Sequence, residues 1–149
     1  MMGYMLKITR TLSVPLFLAA LALPAAAQGG FPLDKPYSAI SISGFDVQKM
    51  GLSLTVSREA KADAMRGSGN AGCNRWTANV ILREDQIDFT NIVTTKMACA
   101  KPKMTAEDAF LTSLRSAKRW RVEGERLIIE GDAARLLMKA GVAETKRPR

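Results

Sequence analysis

Histidine is absent from the 149 residues. That removes the commonest general base and the usual metal ligand. Cysteine occurs only twice, as Cys73 and Cys99, so a thiol nucleophile would need one of them free, with a lysine standing in as base. The carboxylate pairs are few: Glu84-Asp85, and Glu123 with Glu125, fall at turn-like positions where solvated charge is the ordinary outcome. No apolar run reaches the roughly 20 residues that a bilayer crossing needs, and no internal repeat or strand–helix alternation supports a parallel sheet. The chain is therefore expected to carry no catalytic residues, no metal and no cofactor. An unusual lysine- or threonine-based enzyme is the alternative, with Lys96, Arg75 and Glu107 as the residues to replace.

Acidic residues are also missing before Asp34, and this absence carries information. Lys7 and Arg10 give a positive start, Leu12 to Leu23 is a short apolar run, and Ala25-Ala26-Ala27 supplies small residues for cleavage. Residues 1–27 thus read as a signal peptide cut near Ala27. Gln28, not cysteine, follows the cut, which argues against a lipid anchor. With no Arg-Arg pair, the general export route and a bacterial periplasm are expected. Removing the signal leaves 122 residues, one compact domain, and lowers the formal net charge from +8 to +6. Positive charge in the cell envelope favours anionic surfaces or acidic partners. In that compartment two cysteines most economically form one disulfide, with two separate thiols or one reactive thiol as the alternatives.

Residues 28–36 read as an irregular lead. Ile40 and Ile42 alternate with serines; after Gly44, Phe45 and Val47 take the opposite phase, which suggests a bulge or turn. Leu52, Leu54 and Val56 form the cleanest half-buried strand, and Trp76, Ala78, Val80 and Leu82 share a face of another. Ile87 with Phe89, Trp120 with Val122, Leu127 with Ile129, and Leu136 with Met138 continue the pattern between turn-like charged connections. Thr105 to Lys118 changes period. Thr105 and Asp108 resemble a capping box, and Phe110, Leu114 and Ala117 line one face of an amphipathic helix. Residues 141–149 read as a flexible basic tail. The expected fold is α+β: a curled antiparallel sheet, a barrel or half-barrel of about seven or eight short strands, closed by the one helix.

Gly67-Ser68-Gly69-Asn70-Ala71-Gly72 spells a literal dinucleotide fingerprint. A charged stretch precedes it and a strand follows, the reverse of what pyrophosphate binding requires. It is expected to be a loop with unusual backbone angles or close packing. Arg75 with Lys96 could hold an anion, against the plainer reading of a structural turn. Arg115, Lys118, Arg119 and Arg121 surround Trp120 as a basic surface. Export separates that cluster from nucleic acid, so an anionic envelope surface is the better partner class.

Taken in order, Gly72-Cys73-Asn74-Arg75 with Trp76, then Thr95-Lys96-Met97-Ala98-Cys99, then Met104, Glu107, Phe110, Leu111 and Leu114, followed by Leu127 to Ile129 and Leu136 to Met138, resemble the META domain family with its heat-inducible, HslJ-like bacterial members. The resemblance covers residues 37–140. Tyr37, where the family often has tryptophan, is a departure, and so is the length of the glycine segment. The resemblance implies a small α+β fold and links to heat stress, antibiotic tolerance and secretion. It also implies a likeness in shape to proteins that hold an apolar tail in a cracked barrel; it transfers no catalytic residue. The leading expectation is a non-catalytic periplasmic binding or assembly-support module in envelope stress. An apolar groove lined by Leu54, Val80, Phe110 and Leu114 would take a lipid tail or an envelope protein segment, unless those residues simply fill the core. The alternative is an interaction or inhibitor protein working through the basic surface. Oligomeric state is left open.

Overall fold

The computed structural model describes residues 29–60 and 64–141. The expected signal over residues 1–27, residues 142–149 of the tail, and residues 61–63 of the charged stretch after Glu59 lie outside the described residues. Nine strands and one helix follow in chain order: β1 (Tyr37–Ile42), β2 (Phe45–Asp46), β3 (Ser53–Arg58), β4 (Met65–Asn70), β5 (Arg75–Arg83), β6 (Gln86–Thr94), α1 (Lys101–Arg115), β7 (Ala117–Glu123), β8 (Arg126–Gly131) and β9 (Arg135–Ala140). All pairings are antiparallel, and β9 returns to pair with β1. Eight strands thus close into a barrel, with β2 as a short hairpin extension of β1. Closure removes free sheet edges, which is how a small all-antiparallel sheet avoids pairing with other chains.

The alternating apolar positions point inward as expected in β3 and β5, where Leu54, Val56, Trp76, Ala78 and Val80 are all buried. Trp76 sits at the centre, with edge-on contacts to Phe89 and Phe110 at ring distances of 6.0 and 5.9 Å. Several strands depart from simple alternation: β8 buries three consecutive residues, Leu127, Ile128 and Ile129, and β1 and β7 carry bulges. In β1 the register against β9 shifts between Ala39 and Ser41, so Tyr37, Ala39 and Ile42 are buried and Ile40 is not. In β7 a similar shift between Ala117 and Arg119 buries Ala117 and Trp120, three residues apart; Val122, beside the β7–β8 turn, is exposed. A bulge changes which face a side chain occupies, and that defeats a strict period of two.

The glycine segment is not a loop. Met65–Asn70 is strand β4, paired along its length with β5. Its glycines serve close packing: a Cβ on Gly67 would meet Trp76 and Val80 at 3.0–3.2 Å, and one on Gly69 would meet Ser53 O at 2.1 Å. The helix also differs from expectation. It starts at Lys101 with Pro102 in its first turn and no side-chain cap, and it ends at Arg115. The Thr105 hydroxyl donates back to Lys101 O at 3.0 Å, so it lies inside the helix instead of capping it. Ala117 and Lys118, expected within the helix, belong to β7.

α1 lies across one mouth of the barrel, beside the β1–β2 hairpin, the β4–β5 connection and the β8–β9 turn. The opposite end receives the N-terminal lead, where Phe31 meets Trp120 edge-on at 5.0 Å.

Candidate functional site: an apolar cleft at the barrel mouth

One face of α1 is fixed. Phe110, Leu111 and Leu114 enter the core, and Glu107, only 5% exposed, reaches the β4–β5 connection. Glu107 Oε2 accepts the Asn74 backbone N–H at 2.7 Å, and Oε1 accepts Asn74 Nδ2 at 2.8 Å. Asn74 Oδ1 in turn accepts the Met97 N–H at 2.7 Å and the Thr95 hydroxyl at 2.9 Å. The Cys73–Cys99 disulfide joins the same two segments, with Cα atoms 5.8 Å apart. The expected cystine is therefore present, and the residues that carried the resemblance converge: Gly72 with φ +104, Cys73, Asn74, Thr95, Met97, Cys99 and Glu107. They form a brace that sets the helix on the barrel, with Arg75 and Trp76 opening β5 directly behind it. Its polar groups satisfy one another, as buried polar groups must.

With that face fixed, the stripe Pro102, Thr105, Ala106, Ala109 and Thr112 turns toward the hairpin. Ser43 (φ 48) and Gly44 (φ 90) are both left-handed, the requirement of a tight two-residue hairpin turn. That turn places Phe45 opposite Ile42 at the hairpin end, where Phe45 is 77% exposed. Asp46 Oδ1 then accepts the Gln48 N–H at 2.9 Å and starts a 3-10 turn, Gln48–Met50. Between hairpin and helix runs a cleft of about 630 Å³, walled by Ile42, Phe45, Val47 and Met50, by the helix stripe, and by Ala133 and Ala134. Ser43 and Asp108 supply the polar part of the lining beside the two threonines.

An apolar groove therefore exists, but in a different place from the one the sequence suggested. Leu54, Val80, Phe110 and Leu114 are buried in the core and none lines the cleft. A usable signal was the phase flip at Gly44, which takes Phe45 off the buried face. The basic surface is also altered. Arg119 meets Asp85 at 3.4 Å, and Arg121 lies between Glu123 at 2.8 Å and Glu130 at 2.9 Å. The hydrogen bonds that the Arg121 guanidinium donates to Glu123 and Glu130 raise it above its ordinary value, and the same Arg121 bond holds the Glu123 carboxyl below its own. Arg115 and Lys118 remain exposed. Arg75 and Lys96 are exposed as well, next to the bond from Thr95 N–H to Arg75 O. Among the described residues no group of three or more acidic or cysteine side chains could hold a metal, and no helix is long and apolar enough to cross a membrane.

A family model described as META domain matches residues 32–143. The fold is similar to that of a protein from Burkholderia xenovorans solved by NMR: TM-score 0.58 and 20% identity, over 73% of this chain and 83% of that one. A second NMR structure is similar at TM-score 0.54 and 18% identity, over 70% of this chain and 87% of that one. No curated protein matches the chain.

Proposed function

We propose, from the premise that this chain belongs to the META domain family, that it is a non-catalytic periplasmic binding module that receives an apolar segment at the mouth of its barrel. One observation carries the reading. Phe45 is held 77% exposed on a tight hairpin, over a cleft of about 630 Å³ walled mainly by apolar side chains. Contiguous apolar surface left in water marks binding sites, and the exposed Phe45 ring continues the apolar wall of the cleft. The volume falls within the roughly 300–1,000 Å³ of typical small-molecule sites. The apparent export signal and the basic balance of the mature chain support a place in the cell envelope, and the family resemblance supports a role in heat stress and antibiotic tolerance.

The brace is support for the site and is not itself the site. Asn74, Glu107 and the cystine hold α1 so that its outer stripe faces the hairpin. The Asn74, Thr95 and Glu107 groups of that brace are engaged with one another. The alternative of a basic docking surface is weaker, because Arg119 and Arg121 are already engaged by carboxylates.

Native mass spectrometry of the protein recovered from the periplasm tests the reading. A retained apolar ligand or partner is expected for the wild type, and its loss for Ala109→Trp, which fills the cleft from the helix side. Wild-type protein that is recovered empty, or the same adduct on both proteins, would sink it.

A further inference from the structure

Asp108 is the one charged side chain among the described residues that line the cleft. The fold makes no use of its carboxylate. The helix begins at Lys101, so Asp108 lies beyond the first turn, where an acid would favour the positive end of the dipole. Its neighbours three and four residues away, Met104, Thr105, Leu111 and Thr112, offer no cation along the helix. No ion pair reaches it from another element among the described residues. Helical spacing places Thr105, Asp108 and Thr112 on one edge of the stripe that faces the cleft, and Pro102, Ala106 and Ala109 on the other. The facing wall, Ile42, Phe45, Val47 and Met50, is apolar. The cleft is thus neutral except for one unpaired, exposed carboxylate midway along α1.

We infer that the ligand is a small lipophilic amine: an apolar group held between hairpin and helix, with one protonated nitrogen against Asp108. This rests on the reading of the cleft as a binding site and goes further by assigning the charge and class of its ligand. Size argues against a polypeptide. A two-turn helix, about 11 Å long and about 10 Å across, fills roughly 850 Å³, more than the cleft of about 630 Å³. An extended peptide would need a free sheet edge with backbone partners, and β2 is two residues long and already paired to β1. A small apolar group needs only non-directional contact with the walls. The carboxylate then decides between ligands of one shape, attracting a cationic end and repelling an anionic one. The chain as a whole has a formal net charge of +8, so a preference for cations runs against its overall field and has to come from the site.

The test titrates the mature chain, followed by its amide NMR signals, with three probes that share a phenylbutyl group: phenylbutylamine, phenylbutanol and phenylbutyrate. The amine keeps its proton at neutral pH, as a lysine side chain does. It is expected to bind about three- to fivefold more tightly than the alcohol, the size of one partly exposed ion pair, with the carboxylate weakest. Asp108→Asn brings the amine down to the alcohol, and Asp108→Lys reverses the order of amine and carboxylate. Equal wild-type affinities, or an amine preference that survives Asp108→Asn, overturn the amine assignment while the cleft reading stands. An apolar peptide that binds where no phenylbutyl probe does assigns the cleft to a polypeptide and overturns the small-ligand inference alone. If neither peptide nor probe binds, or if Phe45→Ala and Ala109→Trp both leave probe binding untouched, the cleft reading itself falls. Phe45→Ala serves where Ala109→Trp fails to fold.

Discussion

Asn74 and Glu107 lie 33 residues apart in sequence and meet through two hydrogen bonds, one to each oxygen of the Glu107 carboxyl. Both donors are buried, and both belong to the same asparagine. Replacing Glu107 by alanine strands the Asn74 backbone N–H and one Nδ2 hydrogen, while Nδ2 still donates to Met97 O at 3.3 Å, at a cost of about 2–3 kcal/mol. Glutamine keeps one acceptor but points an amide N–H₂ at the other donor, so it recovers only part of the loss. Urea unfolding of the two variants checks this; a glutamine variant as stable as wild type would show that one acceptor suffices.

The cystine ties the β4–β5 connection to the Thr95–Cys99 stretch, with a sequence separation of 26. Chain-entropy bookkeeping gives such a closure about 3–4 kcal/mol. Replacing both cysteines by serine is expected to lower stability by an amount of that order. Because the Asn74 amide and the disulfide both tie the Thr95–Cys99 stretch to the β4–β5 connection, their effects should not add. A double-mutant cycle with Asn74→Ala should show coupling above about 0.5 kcal/mol. Strict additivity would mean that the two ties act independently.

Gly69 makes a sharper case than the other glycines. An added Cβ would lie 2.1 Å from Ser53 O, a backbone atom of β3, and Trp76 Nε1 donates to that same oxygen at 3.0 Å. Relief requires β3 and β4 to separate. Gly69→Ala should therefore cost more than about 3 kcal/mol or abolish folding. At Gly67 the nearest atoms belong to the side chains of Val80 and Trp76, so Gly67→Ala should be milder. Soluble yield and thermal midpoint of the pair decide it, and a reversed order would contradict the packing described.

That contrast explains part of what could be read from the sequence and what could not. Period-two alternation identifies β3, β5 and the start of β6, because those strands bury one face without interruption. In β1 and β7 the bulges shift the buried face, and no composition signal marks them. The glycines of β4 read as a loop because sequence rules treat glycine as a breaker. Here Gly67 and Gly69 make room for an indole and a neighbouring carbonyl. At the helix start, the capping-box likeness at Thr105 outweighed Pro102, which marks the first turn. The brace was readable as a set of motif residues, but its hydrogen bonds connect side chain to backbone across 23 to 33 residues, beyond any local pattern.

Tyr37 gives the barrel an alkaline limb. Burial raises its phenol above the ordinary value of about 10. The folded state therefore keeps the proton at pH values where the unfolded chain has lost it. The resulting stability is intact below the unfolded value and is lost as pH rises from there through the folded value. Tyr37→Phe should flatten the fall in stability above about pH 10 and run parallel to wild type at neutral pH. Urea unfolding from pH 8 to 11 measures it; curves parallel over the whole range would place the phenol in contact with water.

Phe45 and Phe110 separate binding from folding. Phe110 is fully buried against Trp76, and truncating it to alanine should cost about 3–5 kcal/mol. Leu54, Val80 and Leu114 belong to the same core and should also lose stability on truncation. Phe45 is 77% exposed, so Phe45→Ala should change stability by no more than about 0.5 kcal/mol. It should nevertheless remove most of the affinity for an apolar ligand, because the ring is the largest apolar side chain on the hairpin wall of the cleft. Urea unfolding and ligand retention, measured on the same preparations, test both halves. A Phe45→Ala protein that is destabilised by more than about 1 kcal/mol and still retains ligand would make the hairpin a structural element and move the binding surface elsewhere.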